Sequence, residues 1–290
     1  ENVASVIIWD IRFPRILMGL FVGASLAVTG AALQALVRNP LADPYVLGIS
    51  SGAALGATIG LALGLGAIVG GFGLPLFAFI GGGLSIVLVY GIAASQGQLP
   101  MHQLLLAGVI VNAVCSALMM FVTSILNPAS LYRVVLWLMG TLNAPSIPML
   151  IGIGVCLLIA IVLLLRESQA LNLLAVGEDA ARSLGVDSVR VQRTVFLVSA
   201  VLTGAVVSVS GMIGFVGMVI PHLVRILCGA DHRLLLPVSA LGGGILLMVA
   251  DTVARTVVAP AEIPVGVITA LIGGPFFIYL LMTRKYRFFA

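Results

Sequence analysis

The sequence predicts an all-α protein that crosses a membrane many times, and three observations support this fold class. Apolar residues make up 61% of the 290 residues and charged residues only 8%, whereas a soluble domain is usually about 45–50% apolar and about 25% charged. No Asp, Glu, Lys or Arg occurs between Pro44 and Tyr132, although a spanning helix needs only about 20 apolar residues. The uncharged runs lack the alternation of a membrane β-barrel, so we expect helices.

Glycine, proline and polar residues divide the apolar sequence into about nine predicted spans. The spans lie near residues 16–37, 45–66, 72–94, 103–126, 147–165, 194–213, 215–228, 234–257 and 264–283. Because the sequence opens at Glu1 and not at Met, we expect a further span upstream, which would bring the total to ten.

The Lys and Arg residues fall mostly on one side of the membrane when these spans alternate in direction. That side carries Arg38, Arg166, Arg182, Arg190, Arg193, Arg225, Arg233, Arg284, Lys285 and Arg287. The other side carries Arg12, Arg15, Arg133 and Arg255. Because cytoplasmic loops are enriched in Lys and Arg, the first side is predicted to be cytoplasmic. We therefore expect a multi-pass protein of the bacterial inner membrane with its C-terminus inside.

A ladder of glycines occupies every fourth position of the second predicted span. Its members are Gly48, Gly52, Gly56, Gly60 and Gly64. A spacing of four places all five on one helix face, where the backbone of a neighbouring helix can approach closely. We favour tight helix packing over the alternative, a smooth wall of a conduit.

The largest polar insertion lies at about residues 166–193, on the predicted cytoplasmic side. Its interior, from Leu171 to Gly185, reads as two short helical segments broken at Gly177. An apolar side of these segments is formed by Leu173, Leu174, Ala181 and Leu184. Because an ordinary solvated loop need not be amphipathic, a docking element for a cytoplasmic partner is the favoured interpretation.

The sequence contains no recognisable apparatus for catalysis. Its only lysine is Lys285, so it lacks the Gly-x-x-x-x-Gly-Lys-Ser/Thr loop, in which the lysine reaches the nucleotide phosphates. The histidines at 102, 222 and 232 are scattered, and the three cysteines have neither metal-ligand nor disulfide spacing. We predict no enzyme activity, no metal site and no bound cofactor in this chain.

A secondary transporter driven by an ion gradient is the alternative to a protein powered by a partner. Such transporters usually place ionisable residues within the membrane, and only Asp251 and Arg255 approach this. The two are four residues apart, a spacing at which side chains on a helix can form an ion pair. A proton relay would need more carboxylates at membrane depth, so energy is expected to arrive through the cytoplasmic insertion.

A series of motifs runs in order along essentially the whole chain. The segments are Arg12–Arg15, Gly30–Gln34, Arg38–Pro44, Gly48–Gly56, Leu104–Gly108, Gly177–Gly185, Gly214–His222, Gly229–Arg233, Asp251–Arg255 and Glu262–Gly266. Together they resemble the FecCD-family permeases, the membrane subunits of type II ABC importers for iron chelates, haem and cobalamin. The resemblance implies a single permease domain over residues 1–290, ten spans per subunit, and a homodimer with the pathway at its interface.

The same resemblance implies partners and assigns residues to them. The partners are two ABC ATPase subunits, which bind ATP and Mg, a periplasmic or lipid-anchored substrate-binding protein, and membrane lipid; no nucleic acid is expected. Outward-facing arginines that pair with glutamates of the binding protein match Arg12, Arg15 and Arg255, with interfacial anchoring as the alternative. The ATPase-coupling element matches Leu171, Leu174, Gly177, Glu178, Asp179, Ala181, Arg182, Leu184 and Gly185.

The resemblance further implies that spans 103–126 and 264–283 line the pathway, with a cytoplasmic gate at Met101 and His102. Family members often carry small hydroxylated residues at this gate. Methionine and histidine are both capable metal ligands, but a simple plug of the pore is favoured over a haem or metal contact. Asn112 either faces the conduit or bonds a neighbouring helix. The expected cargo is a metal chelate, with a ferric siderophore ahead of haem and cobalamin.

Overall fold

The computed structural model describes residues 3–64, 72–94, 100–142 and 146–282. Over these ranges the chain is helical and contains no strand, so the predicted all-α class is confirmed. Glu1 and the basic residues at positions 284, 285 and 287, on which the predicted sidedness partly depends, lie outside the described ranges.

The described part of the chain contains thirteen α-helices. They are α1 (Val3–Val6), α2 (Phe13–Val37), α3 (Ile49–Ala62), α4 (Gly73–Ala93), α5 (Met101–Ser124), α6 (Pro128–Leu138), α7 (Ile147–Arg166), α8 (Ser168–Val176), α9 (Glu178–Ser183), α10 (Ser188–Ser210), α11 (Val216–Cys228), α12 (His232–Thr256) and α13 (Val265–Met282). A π-helical segment, Ile7–Arg12, joins α1 to α2, and one 3₁₀ turn, Pro44–Leu47, precedes α3.

Nine of these helices correspond to the predicted spans, namely α2 to α5, α7, and α10 to α13. In the described ranges, six helical segments are long and apolar enough to cross a membrane: Ile7–Val37, Gly73–Ala93, Met101–Ser124, Ile147–Arg166, Ser188–Ser210 and His232–Thr256. Helices α3, α11 and α13 are apolar but shorter. α3 is shorter than its predicted span because Gly48, with a φ of +77°, separates it from the 3₁₀ turn.

Helix α6 is an element that the sequence analysis did not predict. It begins at Pro128, directly after Asn127, whose side-chain oxygen accepts the backbone N–H of Ser130 at 2.8 Å. Asn followed by Pro at the first helical position is a favourable helix start. The helix has only 11 residues, too few to span a membrane, so it does not give the long apolar run that indicates a spanning helix.

Helix α2 lies at the centre of the bundle, with α7, α10, α11 and α12 as neighbours. Its buried residues include Gly23, Ala27 and Gly30, and such small residues let other backbones approach closely. A Cβ atom added at Gly23 would collide with the carbonyl of Gly243 in α12, and one at Gly30 with the carbonyl of Gly217 in α11. The small residues of α2 therefore set its distance from two neighbouring helices.

Helices α2 and α12 run antiparallel and define two ends of the molecule. Because α2 has 25 residues, its ends lie about 37 Å apart at 1.5 Å per residue. One end, named the Arg15 end, contains the start of α2, the end of α12 and segment 257–264. The other, named the α8–α9 end, contains the end of α2, the start of α12 and the helices α8 and α9.

The middle of the glycine ladder packs α3 against α4. A Cβ atom built at Gly52 would lie 2.6 Å from the carbonyl oxygen of Gly81, and one at Gly56 would collide with the carbonyl of Phe77. Gly60 lies against the side chain of Phe77, at 3.1 Å from its Cβ. Gly52 and Gly56 therefore leave no room for a Cβ atom, and a Cβ atom at Gly60 would require the Phe77 side chain to shift slightly.

The two ends of the ladder do not share this packing face. Gly48 lies before α3, and a Cβ atom there would meet Gly108 of α5 at 3.1 Å. The assignment of Gly64 to helix packing is wrong, because α3 has already ended at Ala62 and a Cβ atom at Gly64 would meet nothing within 4 Å.

Candidate functional site

Four charged side chains form a cluster at the Arg15 end. Arg15 donates from Nε to both carboxylate oxygens of Asp251 at 3.2 Å, and from Nη2 to Oδ1 of Asp251 at 2.9 Å. It also donates from Nη1 to Oε2 of Glu262 at 3.0 Å. One turn along α12, Nε of Arg255 lies 3.1 Å from Oδ2 of Asp251. One guanidinium thus joins α2, α12 and segment 257–264.

The acids of this cluster differ sharply in burial. The side chain of Asp251 is 5% exposed, whereas that of Glu262 is 52% exposed. A buried carboxylate must be paired and hydrogen-bonded, and Asp251 has two guanidinium groups as partners. The predicted ion pair between Asp251 and Arg255 is therefore present. The participation of Arg15, 236 residues away, has no signal in the sequence.

Two of the three predicted docking arginines are brought together by this cluster, since Arg15 and Arg255 share one carboxylate. Arg12 is exposed and lies one turn before Arg15, at the end of the π-helical segment. A cavity of about 430 Å³ opens beside Arg15, and Arg133 of α6 also lines it. The Arg15 end therefore combines exposed positive charge with a concave surface. The assignment of the three arginines to docking stays a prediction.

At the α8–α9 end, the insertion forms two short helices separated at Gly177, as the sequence predicted. Leu171, Leu174 and Ala181 are buried, because α8 packs on α2, α7, α10 and α12, and α9 packs on α10. The apolar side of the insertion therefore faces the chain itself.

The prediction that Leu184 shares an apolar side with Leu173, Leu174 and Ala181 is wrong. Its side chain is 68% exposed, and that of Val176 is 81% exposed. Leu184 follows the last residue of α9, so it leaves the face that Ala181 buries. Val176 and Leu184 are the large apolar side chains of the insertion that are available to a partner, and Val176 was not predicted.

Asn172 of α8 fastens the insertion to the start of α12. Its Nδ2 donates to Oδ1 of Asp231 at 2.8 Å, and its Oδ1 accepts the backbone N–H of His232 at 2.9 Å. Asp231 also accepts the backbone N–H of Arg233. The Asn172 amide, followed by that N–H, holds the pKa of Asp231 below its ordinary value. An Asp directly before a helix is a sequence signal for a helix start. No sequence pattern indicates that the partner of Asp231 is Asn172, 59 residues away.

Glu178 links α9 to the end of α2. Its Oε1 lies 2.8 Å from Nη2 of Arg182, one turn along α9, and its Oε2 lies 3.8 Å from Nη2 of Arg38. Arg38 terminates α2 in the left-handed conformation, with a φ of +52°. All three side chains reach solvent, and exposed ion pairs contribute little to stability. Two further predicted coupling residues, Asp179 and Gly185, are exposed.

Helix α5 presents a partly polar face. Met101 and His102, the predicted gate, occupy its first turn, and His102 is exposed. Asn112 is exposed about 16 Å further along the helix, so it does not meet the gate residues. It lines a cavity of about 290 Å³ together with Ser50 and Ser51 of α3. Among the described residues no hydrogen bond joins Asn112 to another helix, which disfavours that alternative; that Asn112 faces the conduit stays a prediction.

The sequence matches the FecCD transport family over residues 1–283 of 290. This chain belongs to that family. It is 44% identical over 288 residues to the hemin transport system permease protein HmuU of Yersinia pestis, covering 96% of this chain and 84% of that protein. It is 45% identical over 287 residues to the cobalamin import system permease protein BtuC of Halobacterium salinarum, covering 99% of this chain and 76% of that protein.

The fold of this FecCD-family chain is also that of a solved transporter. A structure described as an inward-facing conformation of a metal-chelate type ABC transporter superposes with a TM-score of 0.90 at 36% identity, covering 98% of this chain and 89% of that one. The family resemblance stated from the sequence motifs is therefore confirmed, and the chain is a transport permease of the ABC type.

Metal-ligating side chains are dispersed in this FecCD-family chain. In the part of the chain that the structure describes, no three His, Cys, Asp or Glu side chains are grouped so that they could hold a metal ion. Cys115 is buried, Cys156 is partly buried and Cys228 is exposed, and all three are free thiols.

Proposed function

We propose that this chain is the permease subunit of an ABC importer that moves a metal chelate into the cytoplasm. The observation that supports it best is the arrangement of α8 and α9. Their buried side attaches to α2, α7, α10 and α12, while Val176 and Leu184 face outward. A partner that binds these outward side chains can pass its movement to four long helices at once.

In this proposal the power comes from two ABC ATPase subunits bound at the α8–α9 end. Most of the arginines in the described ranges lie at that end, which supports a cytoplasmic position. Closure of the ATPase dimer displaces α8 and α9, and α2 and α12 transmit the displacement to the Arg15 end. The pathway thereby alternates between outward and inward states.

A second copy of the chain is proposed to cover the exposed faces of α5 and α13. Large apolar side chains on these faces include Leu106, Ile110 and Leu271, and Asn112 supplies a polar position among them. The pathway then runs between the two copies, with Met101 and His102 as a plug at one end. A conduit must release its cargo, so contacts to the cargo are expected to be few and weak.

The Arg15 end is proposed to receive the substrate-binding protein through Arg12, Arg15 and Arg255. Arginine suits this role because it forms bidentate contacts with carboxylates and keeps its charge. The cargo is proposed to be a metal chelate, since the relatives are named for hemin, cobalamin and iron uptake. Purification of the cognate substrate-binding protein, with its ligand identified by absorbance and mass spectrometry, distinguishes ferric siderophore, haem and cobalamin.

The coupling role of α8 and α9 is tested by co-purification with the ATPase subunits. Val176→Asp and Leu184→Asp are expected to release the ATPase while leaving the fold intact, because both side chains are exposed. The matched control is Leu63→Asp, which alters a leucine that is 62% exposed beyond α3, near the Arg15 end. ATPase that stays bound to the first two variants would refute the assignment.

Uptake by proteoliposomes tests the source of energy. Transport is expected to require the ATPase subunits and ATP. Uptake without the ATPase that an uncoupler abolishes would instead indicate an ion-gradient transporter. The structure disfavours that alternative, since Asp251 is bound by two arginines and is not a free proton carrier.

A further inference from the structure

The guanidinium of Arg15 is shared between a fixed acid and an exposed one. Three of its donor contacts go to Asp251, a residue in the body of α12 that is almost fully buried. A single contact from Nη1 goes to Glu262, which is half exposed and lies in segment 257–264. Multiple buried charge-assisted contacts are strong, whereas an exposed single ion pair is weak.

We propose that Glu262 is an exchangeable internal partner of Arg15, and that a carboxylate of the docking protein replaces it. This inference rests on the proposed function, in which a binding protein docks at the Arg15 end. Asp251 keeps Arg15 and Arg255 in place throughout, and only the outward Nη1 of Arg15 changes its partner. Glu262 therefore competes with the docking protein and lowers its affinity.

The charge balance of the cluster favours exchange over simple addition. The two arginines and two acids of the undocked cluster sum to zero charge. A partner carboxylate that approached Nη1 while Glu262 stayed in place would bring two like charges to one donor atom, which is unfavourable. Release of Glu262 into solvent restores neutrality, and half of its side chain is already exposed.

The exchange also gives docking a direct effect on α13. Glu262 lies three residues before Val265, where that helix begins. The intervening Ile263 is held to the end of α12 by its N–H, which donates to the carbonyl of Ala254 at 3.0 Å. When Glu262 leaves Arg15, segment 262–264 loses its described hydrogen bond to α2 and keeps this backbone bond to α12. Docking is therefore expected to loosen the segment that leads into α13.

The test compares Glu262→Gln with Asp10→Asn in the permease–ATPase complex held in lipid nanodiscs. The probe is the cognate substrate-binding protein, purified separately. Asp10 is exposed in the π-helical segment near Arg15, so its variant removes the same charge from the same end without touching the Arg15–Glu262 contact. Glu262→Gln is expected to tighten binding about three- to fivefold, the scale of an exposed ion pair, and Asp10→Asn to change it less than twofold.

A background variant, Arg15→Gln, separates exchange from general electrostatics. In that background Glu262→Gln is expected to leave the affinity unchanged, because the contact has already been removed. Unchanged or weaker binding by Glu262→Gln, or equal tightening by Asp10→Asn, would overturn the exchange. Failure of the wild-type permease to bind the probe would instead refute the proposed docking itself. Thermal unfolding midpoints equal to wild type verify that the single-site comparisons are made on folded protein.

Discussion

The two ends of α2 are held by different kinds of interaction. At the Arg15 end, one buried carboxylate with two guanidinium partners joins α12 to α2, and Arg15 also reaches segment 257–264 through Glu262. At the α8–α9 end, α8 and α9 are anchored by the buried apolar side chains of Leu171, Leu174 and Ala181, and the ion pairs around Glu178 reach solvent. We therefore expect the Arg15 end to be destabilised most by substitutions that remove a charge. The α8–α9 end should be destabilised most by substitutions that reduce the volume of a buried side chain.

The largest effect is expected from Asp251→Ala at the Arg15 end. It leaves Arg15 and Arg255 partly buried beside each other without the carboxylate that separates them. Removal of one partner from a buried ion pair typically costs about 3–5 kcal/mol of unfolding free energy. Thermal unfolding in detergent measures the loss. Glu262→Ala, which removes an exposed acid from the same arginine, is the control, and equal losses in both variants would contradict the distinction between a fixed and an exchangeable acid.

At the opposite end, Leu171→Ala is expected to cost about 2–4 kcal/mol, as truncation of a fully buried leucine does. The matched variant Leu184→Ala alters an exposed leucine and should change stability by less than about 0.5 kcal/mol. If Leu184 has the proposed coupling role, its variant nevertheless weakens ATPase binding. Equal losses of unfolding free energy in Leu171→Ala and Leu184→Ala would contradict this prediction.

The connection between the two ends is tested by Gly23→Ala in α2. The added methyl group would collide with the carbonyl of Gly243, so α2 and α12 must separate at a cost of about 1–3 kcal/mol. Gly83→Ala in α4 is the control, since a Cβ atom there meets nothing within 4 Å. The control should be neutral or up to about 1 kcal/mol more stable, because alanine is the better helix former. Thermal unfolding of both variants measures these changes in stability. ATP-driven uptake by Gly23→Ala shows whether α2 and α12 still transmit movement when they lie further apart.

A smaller effect is expected from Asn172→Ala, which removes the acceptor of the His232 backbone N–H and costs about 1 kcal/mol. The same change should alter the pH dependence of stability. The pKa of Asp231 lies below its ordinary value of 3.8 in the folded protein. Its ionised carboxylate therefore contributes fully to the free energy of unfolding above pH 3.8, and this contribution is lost as the pH falls through the lower pKa of the folded state. Unfolding midpoints measured from pH 6 to pH 3 should fall less steeply in the variant. An unchanged slope would show that Asn172 does not hold Asp231 ionised.

The apolar helices were predicted closely because a bilayer imposes a strong constraint. Backbone groups in hydrocarbon must be bonded within a helix, so long uncharged runs become helices almost unaided, as in α5, where residues 103–126 were predicted and Met101–Ser124 is observed. The orientation of Leu184 was not predictable in the same way. A helix of six residues is too short for its apolar periodicity to show which side it buries.

Sequence alone thus determined the class of the protein, its nine apolar helices, its family and the break at Gly177, because each depends on composition or on residues close together in the chain. Only the tertiary structure showed that Arg15 shares Asp251 with Arg255, that Glu262 occupies the remaining side of Arg15, and that Val176 and Leu184 face outward. These facts join residues up to 247 positions apart. The physical reason is that a charged side chain takes whichever partner the packed helices place within about 3 Å, and packing is decided by the contact of whole helix surfaces.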